Sequence, residues 1–115
     1  MLITCHGFKV LLNSKVHGVS LKEAAECIFS TQAIVLDDFK HSTKSEKRFN
    51  LISISPKNRI LLVGFCKRQN GYETRIISAR QASRKERKKF FQKYGKTIFQ
   101  AIPHQSPQFK IKWLF

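Results

Sequence analysis

Residues 60–66, Ile-Leu-Leu-Val-Gly-Phe-Cys, run for seven positions without a polar side chain. Ser55-Pro56-Lys57-Asn58 precedes the run and Gln69-Asn70-Gly71 follows it, both turn-forming sequences. An apolar run of this length between turns reads as a central strand covered on both faces. Its flanks fit that reading. Residues 46–54 alternate, with Phe49 and Leu51 pointing one way and Glu46, Arg48 and Asn50 the other. Residues 73–79 follow Asn70-Gly71, a pair that favours positive φ and hence a hairpin. Residues 2–5 and 33–36 supply two further short strands, the second ending in a turn at Asp37-Asp38.

Two helices carry start signals. Ser20-Leu21-Lys22-Glu23 has capping-box spacing, in which the serine hydroxyl accepts from the Glu23 N–H and the glutamate reaches back. That helix extends to about Phe29, with Leu21, Ala24, Ala25 and Ile28 on one face. Ser83-Arg84-Lys85-Glu86 repeats the signal and opens a basic helix through Tyr94, closed by Gly95. On it Phe90, Phe91 and Tyr94 read as core contacts, and the lysines and arginines as a solvated or ligand-facing side. Residues 8–15 tolerate helix, and Gly18 after His17 is a natural residue to end it. From Lys96 onward no clean period remains. This stretch either adds a strand, wraps the domain, mediates self-association or stays disordered. The order predicts an α+β fold: an antiparallel sheet of about four to five strands, two N-terminal helices and one C-terminal helix, the helices packed on one side. Residues 1–95 form one domain and 96–115 a C-terminal extension.

Composition narrows the partners. Among 115 residues, 22 are Lys or Arg and 7 are Asp or Glu, a net charge of +15. Such a field draws polyanions, above all nucleic acid, or an acidic protein. No apolar run approaches the roughly 20 residues of a membrane span. No stretch pairs a basic face with a wide apolar one, and the first residues lack a secretory leader, so a cytoplasmic protein without membrane contact is expected. Cys5, Cys27 and Cys66 are odd in number and far apart, which suits reduced core thiols better than a disulfide framework or a zinc site.

Four segments, taken in order, resemble one family. His17-Gly18-Val19-Ser20 with Glu23-Ala24-Ala25 is similar to the segment K-H-G-[VI]-x-F-x-E-A of BrnT toxins. His41-Ser42 followed by Glu46-x-Arg48-Phe49 resembles the stretch H-S-x-x-x-E-x-R-F. Arg75-Ile76-Ile77-Ser78-Ala79-Arg80, then Ala82, Arg84, Glu86 and Arg87, resembles the ending R-x-I-S-A-R-x-A-x-x-x-E-R. Upstream, Lys9 and Asn13 fall where the family's first helix has Lys and Asn. The resemblance spans roughly residues 3–94. It implies a RelE-like fold, ribonuclease activity that blocks translation, and a BrnA-like antitoxin that wraps and neutralises the toxin. It also implies a two-toxin, two-antitoxin assembly, or a homodimer, reaching operator DNA only through the antitoxin. The chain departs from the pattern at Val16, where the family has Lys, at residues 3–6, where it has F-x-W-D, and at Ser53, where it has Gly. Val16 motivates the alternative of a catalytically inactive copy acting only in antitoxin or repressor complexes. A basic nucleic-acid-binding module is the other alternative.

RNA can be cut without metal by its own 2′-hydroxyl, given a base for that proton, stabilisation of the phosphorane and a proton for the leaving 5′-oxygen. Arginine suits the second task, because its planar fork grips phosphate oxygens and stays charged. Arg48, Arg75 and Arg80 are the candidates, with a surface or salt-bridge arginine as the plain alternative for each. Arg75 and Arg80 stand five apart, so an ideal strand puts them on opposite faces unless it ends or bulges near Ala79. His17 and His41 titrate nearest neutral pH. His17 can equally satisfy helix-end carbonyls, and His41 can be an ordinary surface residue. Glu46 either acts as base or orients Arg48; Glu86 reads as a cap. Lys9, Lys15, Arg84, Arg87 and Lys88 are the candidate RNA-backbone contacts. No cofactor is implied, and the adjacent pair Asp37-Asp38 reads as a solvated cap, not a metal site. Few aromatics flank the basic residues, so no stacking platform is evident.

Overall fold

The computed structural model describes residues 2–6, 17–95 and 110–114. Among these residues six strands form one sheet: β1 (Leu2–His6), β2 (Ala33–Asp37), β3 (Arg48–Ile54), β4 (Ile60–Arg68), β5 (Glu73–Gln81) and β6 (Lys110–Leu114). Two helices accompany them, α1 (Leu21–Ile28) and α2 (Arg84–Tyr94). The sheet order is β2-β3-β4-β5-β1-β6, so the apolar run lies inside the sheet.

Strands β2 to β5 form an antiparallel meander. β1 runs parallel to β5, and β6 parallel to β1. The antiparallel expectation is thus corrected to a mixed sheet; five of its strands lie within residues 1–95, as expected, and β6 comes from the extension. The physical reason lies in the connections. A short turn at Gln69–Gly71 forces β4 and β5 antiparallel, whereas β1 and β6 reach the sheet through long segments that leave their direction open. Of the outcomes open for the C-terminal extension, residues 110–114 add a strand, with Leu2 opposite Lys110 and His6 opposite Leu114.

The helices also divide between the two faces instead of sharing one. Leu51, Leu61, Val63 and Phe65 pack with Leu21, Ala24, Ala25 and Cys27 of α1 in one cluster. Ile52, Ile54 and Ile60 pack with Phe90 of α2 in a second, joined by Ile34, Leu36, Leu62 and Tyr94. Alternation along β3 and β4 sends odd and even residues to opposite faces, so a strand apolar at every position needs a layer on each. One of the two expected N-terminal helices is α1; the other, on residues 8–15, lies outside the described residues. No helix among the described residues is long and apolar enough to cross a membrane.

Local chemistry fixes the helix ends. Ser20 Oγ accepts from Glu23 N at 3.1 Å, but the Glu23 side chain does not reach back to the cap. It is buried against Arg59, whose Nε donates to it at 3.0 Å and whose Nη2 donates to Gly18 O, also at 3.0 Å. This ties the start of α1 to the β3–β4 turn at the expense of the expected capping box. Burial alone would raise the Glu23 pKa, yet the Arg59 hydrogen bond and charge pull it below the ordinary range. At α2 both halves of the box form: Glu86 N donates to Ser83 Oγ at 3.3 Å, and Ser83 N to Glu86 Oε1 at 2.8 Å. Ser53, at the departure from the family glycine, is buried and donates to Cys27 O at the end of α1. Tyr94 Oη donates to Ala33 O and accepts from Ala33 N, both at 2.8 Å, pinning α2 over the edge strand β2.

Candidate active site

Helix α2 covers only half of its sheet face. The apolar half carries Ile52, Ile54, Ile60 and Leu62. Further along the same strands, the residues on that face become Arg48, Asn50, Gly64, Cys66, Arg75, Ser78 and Arg80. The register aligns them in rows: Arg48–Cys66–Arg75, Asn50–Gly64–Ser78 and Ile52–Leu62–Arg80. A β-bulge makes these rows possible. Gly64 pairs Ser78 while Phe65 pairs Ile76, so Ile77 is the extra residue of β5. The bulge reverses the strand's alternation. It lets Ile76 and Ala79 both enter the core while Arg75 and Arg80, five apart, share the polar face. Of the alternatives open in sequence, the bulge is the one realised, at Ile77.

A cleft of about 520 Å³ opens on this half-face, bounded by Asp38, His41, Arg48, Asn50, Ser78 and Arg80. The loop after β2 brings His41 to it and is laced by its own bonds. Ser42 Oγ donates to Asp38 O at 2.7 Å and accepts from Arg48 N at 2.9 Å, and Asp38 N donates to Arg48 O at 2.9 Å. Asp38 Oδ2 lies 2.9 Å from Nδ1 of His41. That contact suits a protonated Nδ1 and leaves Nε2 facing outward, on a side chain 58% exposed.

Each candidate arginine is held by a glutamate. Arg48 Nε and Nη2 donate to Glu46 Oε2 at 3.1 and 3.0 Å. Arg75 Nε and Nη2 donate to Glu73 Oε2 at 3.2 and 3.0 Å. Arg80 grips Glu86 with Nη1 and Nη2 at 2.8 and 3.0 Å, joining β5 to the first turn of α2. The salt-bridge alternative is therefore realised for all three. It does not remove them from chemistry, since a guanidinium has five N–H donors and each pair uses only some. Glu46 also binds Arg68, which sequence reasoning passed over. The hydrogen bond from Arg48, then that from Arg68, keeps the Glu46 carboxyl well below the ordinary range. Glu86 is lowered by Arg80, and Glu73 first by the Thr4 hydroxyl and then by Arg75. Glu46 thus sits hydrogen-bonded to Arg48 and Arg68 together.

The structure gathers His41, Arg48 and Arg80 around one cleft. Glu46 and Arg75 line the adjoining groove with Arg68 and Lys67. His17 is not brought there: it is exposed and precedes α1, which covers the opposite face. Arg84, Arg87 and Lys88 stand exposed on α2, which starts beside the cleft at Arg80. Lys9 and Lys15 lie outside the described residues. Asp38 was missed as a partner for His41 because it read as part of a turn; its i, i+3 spacing to His41 was the available signal. Phe39, between Asp38 and His41, is 78% exposed, one aromatic that does flank the basic loop. Cys66, under Arg48 and Arg75, is buried, and burial pushes its thiol up, as it does Cys5; Cys27 rises to about 12. All three cysteines are buried, the core placement that the sequence suggested.

A search of curated proteins returned no match. A family model described as ribonuclease toxin, BrnT, of type II toxin–antitoxin system matches residues 8–86, which include His41, Arg48, Asn50, Ser78 and Arg80. The chain belongs to the BrnT family of type II toxin–antitoxin ribonuclease toxins.

Proposed function

We propose that this protein is a metal-independent endoribonuclease whose active site is the open half-face around His41, Arg48 and Arg80. The observation that carries the reading is the convergence of an Asp-held histidine and two glutamate-held arginines on one cleft. His41 Nε2 takes the proton of the 2′-hydroxyl, the 2′-oxygen bonds to phosphorus, and the bond to the 5′-oxygen breaks. The departing 5′-oxygen takes its proton from water at the open cleft mouth. Arg48 and Arg80 hold the phosphorane oxygens, their forks aimed in advance by Glu46 and Glu86. Arg75 and Arg68 bind the continuing strand in the next groove, and Arg84, Arg87 and Lys88 its backbone beyond α2. The metal-free route is favoured because Asp38, Glu46 and Glu86, the carboxylates nearest the cleft, are each engaged by a basic side chain.

Family membership supports the remainder of this reading: RNA cleavage inhibits translation, and a BrnA-like antitoxin neutralises the toxin, in a two-toxin, two-antitoxin assembly that reaches operator DNA through the antitoxin. The RelE-like fold and a cytoplasmic location belong to the same reading. The test is expression from a tight promoter, following growth and total RNA beside Arg80→Ala and His41→Ala variants checked for folding. Growth arrest with RNA decay, relieved by both substitutions, is the expected result. Folded wild-type protein that leaves growth and RNA intact would overturn it and favour the catalytically inactive alternative that Val16 motivates.

A further inference from the structure

The middle row of the open half-face, Asn50–Gly64–Ser78, takes no part in the chemistry above. It lies between the row that carries Arg48 and the row that carries Arg80. The side chains of Asn50 and Ser78 make no hydrogen bond to any described residue, and both border the cleft. Gly64 between them is buried and has no room for a side chain. A Cβ built there would stand 2.6 Å from Ser78 Oγ and 3.5 Å from Asn50 Oδ1. The serine hydroxyl and the carboxamide thus converge over bare backbone, making a flat polar floor flanked by cations.

We infer that this row reads the base of the nucleotide seated in the cleft. The inference deepens the ribonuclease reading and rests on its assignment of RNA to this site. Phosphates are matched by guanidinium forks, which the neighbouring rows already supply. A neutral carboxamide beside a hydroxyl offers both donors and acceptors, which is the chemistry of base edges. Gly64 leaves over its backbone the room that the Ser78 hydroxyl occupies, and so keeps that hydroxyl beside the Asn50 carboxamide. Along the strands, one row to the next is two residues, roughly 7 Å. Arg48 and Arg80, one such step to either side, reach in to the scissile phosphate, and the base of the nucleotide that carries it meets Asn50 and Ser78.

The test is binding selectivity, measured by fluorescence anisotropy with uncleavable 2′-O-methyl oligonucleotides of A, of C and of U. The wild-type protein is expected to rank the three, with best and worst roughly 5- to 100-fold apart. Asn50→Asp, which removes the amide donor, reorders them, and Asn50→Ala and Ser78→Ala compress the spread. Lys88→Ala weakens all three equally. Gly64→Ala also compresses the spread; should it fail to fold, the Asn50 and Ser78 variants carry the test. Equal affinity for all three in wild type, or an order and spread unchanged in Asn50→Asp and Asn50→Ala, would overturn the inference. Cleavage of an all-ribose strand is followed in parallel. Intact cleavage without base ranking contradicts the base-reading floor alone, and ranking without cleavage contradicts the nuclease reading alone.

Discussion

The sheet face beneath α2 contains two halves that share β3 and β4, and they differ in almost every respect. One half is Ile52, Ile54, Ile60 and Leu62, sealed by Phe90. The other is Arg48, Asn50, Gly64, Ser78 and Arg80, left open to solvent. In the first half, side chains fit one another and exclude water, so their contribution is stability. In the second, each arginine is held by a carboxylate while some of its donors remain available, so the contribution is a preset electrostatic surface. Arg80 stands at the border. Its row partner is Leu62 of the apolar half, yet its fork is held by Glu86 at the start of α2. The contrast teaches that one strand can serve a core and a site in succession, as β3 does from Ile52 to Asn50, while the bulge in β5 brings Arg75 and Arg80 to the same face.

Substitutions on either side of the border should separate stability from activity. Phe90→Ala, in the sealed half, is expected to cost about 3–5 kcal/mol in denaturant unfolding, with cleavage per folded molecule retained. His41→Ala, in the open half, is expected to reverse the pattern: a drop of roughly 10²–10⁴ in kcat with an unchanged unfolding midpoint. If His41→Ala unfolds the protein instead, or Phe90→Ala abolishes cleavage by folded molecules, the two halves are not separable.

Acidification probes the paired glutamates of both regions together. Glu23, Glu46, Glu73 and Glu86 all lie below the ordinary carboxylate value when folded. Their unfolded forms bind protons near roughly pH 4.3, so the unfolded state holds more protons below that point. Their stabilisation is therefore complete above that value and is lost as pH falls through the depressed folded values. A chemical-denaturation series from pH 7 to pH 3 should show a midpoint that falls only toward the acid end; a midpoint that rises there would contradict the pairing. The smallest effect is expected at the α2 cap, where Ser83→Ala should cost about 1 kcal/mol and leave the cleft chemistry untouched.

Much of this arrangement was legible in the sequence. The turns around residues 60–66, the cap at Ser83 and the meander follow from local pattern, and His41, Arg48 and Arg80, which lie in the segments of family resemblance, line one cleft. Three things did not follow from local pattern. The parallel pairing of β1 is a long-range choice, made between segments some seventy residues apart in sequence, such as Leu2 and Glu73. The bulge at Ile77 was one of several readings of the five-residue spacing between Arg75 and Arg80, and only the register with Gly64 decides among them. The use of both faces was hinted at by an uninterrupted apolar run but was masked by the α+β element order. Glu23 shows the same limit on a smaller scale: its spacing from Ser20 fits a capping box, yet Arg59, distant in sequence, claims its carboxylate.

The central claim is that the open half-face cuts RNA with its own side chains. Its most direct test is the initial rate of cleavage of a single-stranded RNA by purified protein in excess chelator, wild type beside Arg48→Ala of equal thermal stability. The account predicts cleavage without added metal and a loss of roughly 10²–10³ in the variant. Chelator that abolishes wild-type cleavage, or an Arg48→Ala rate equal to wild type, would contradict it.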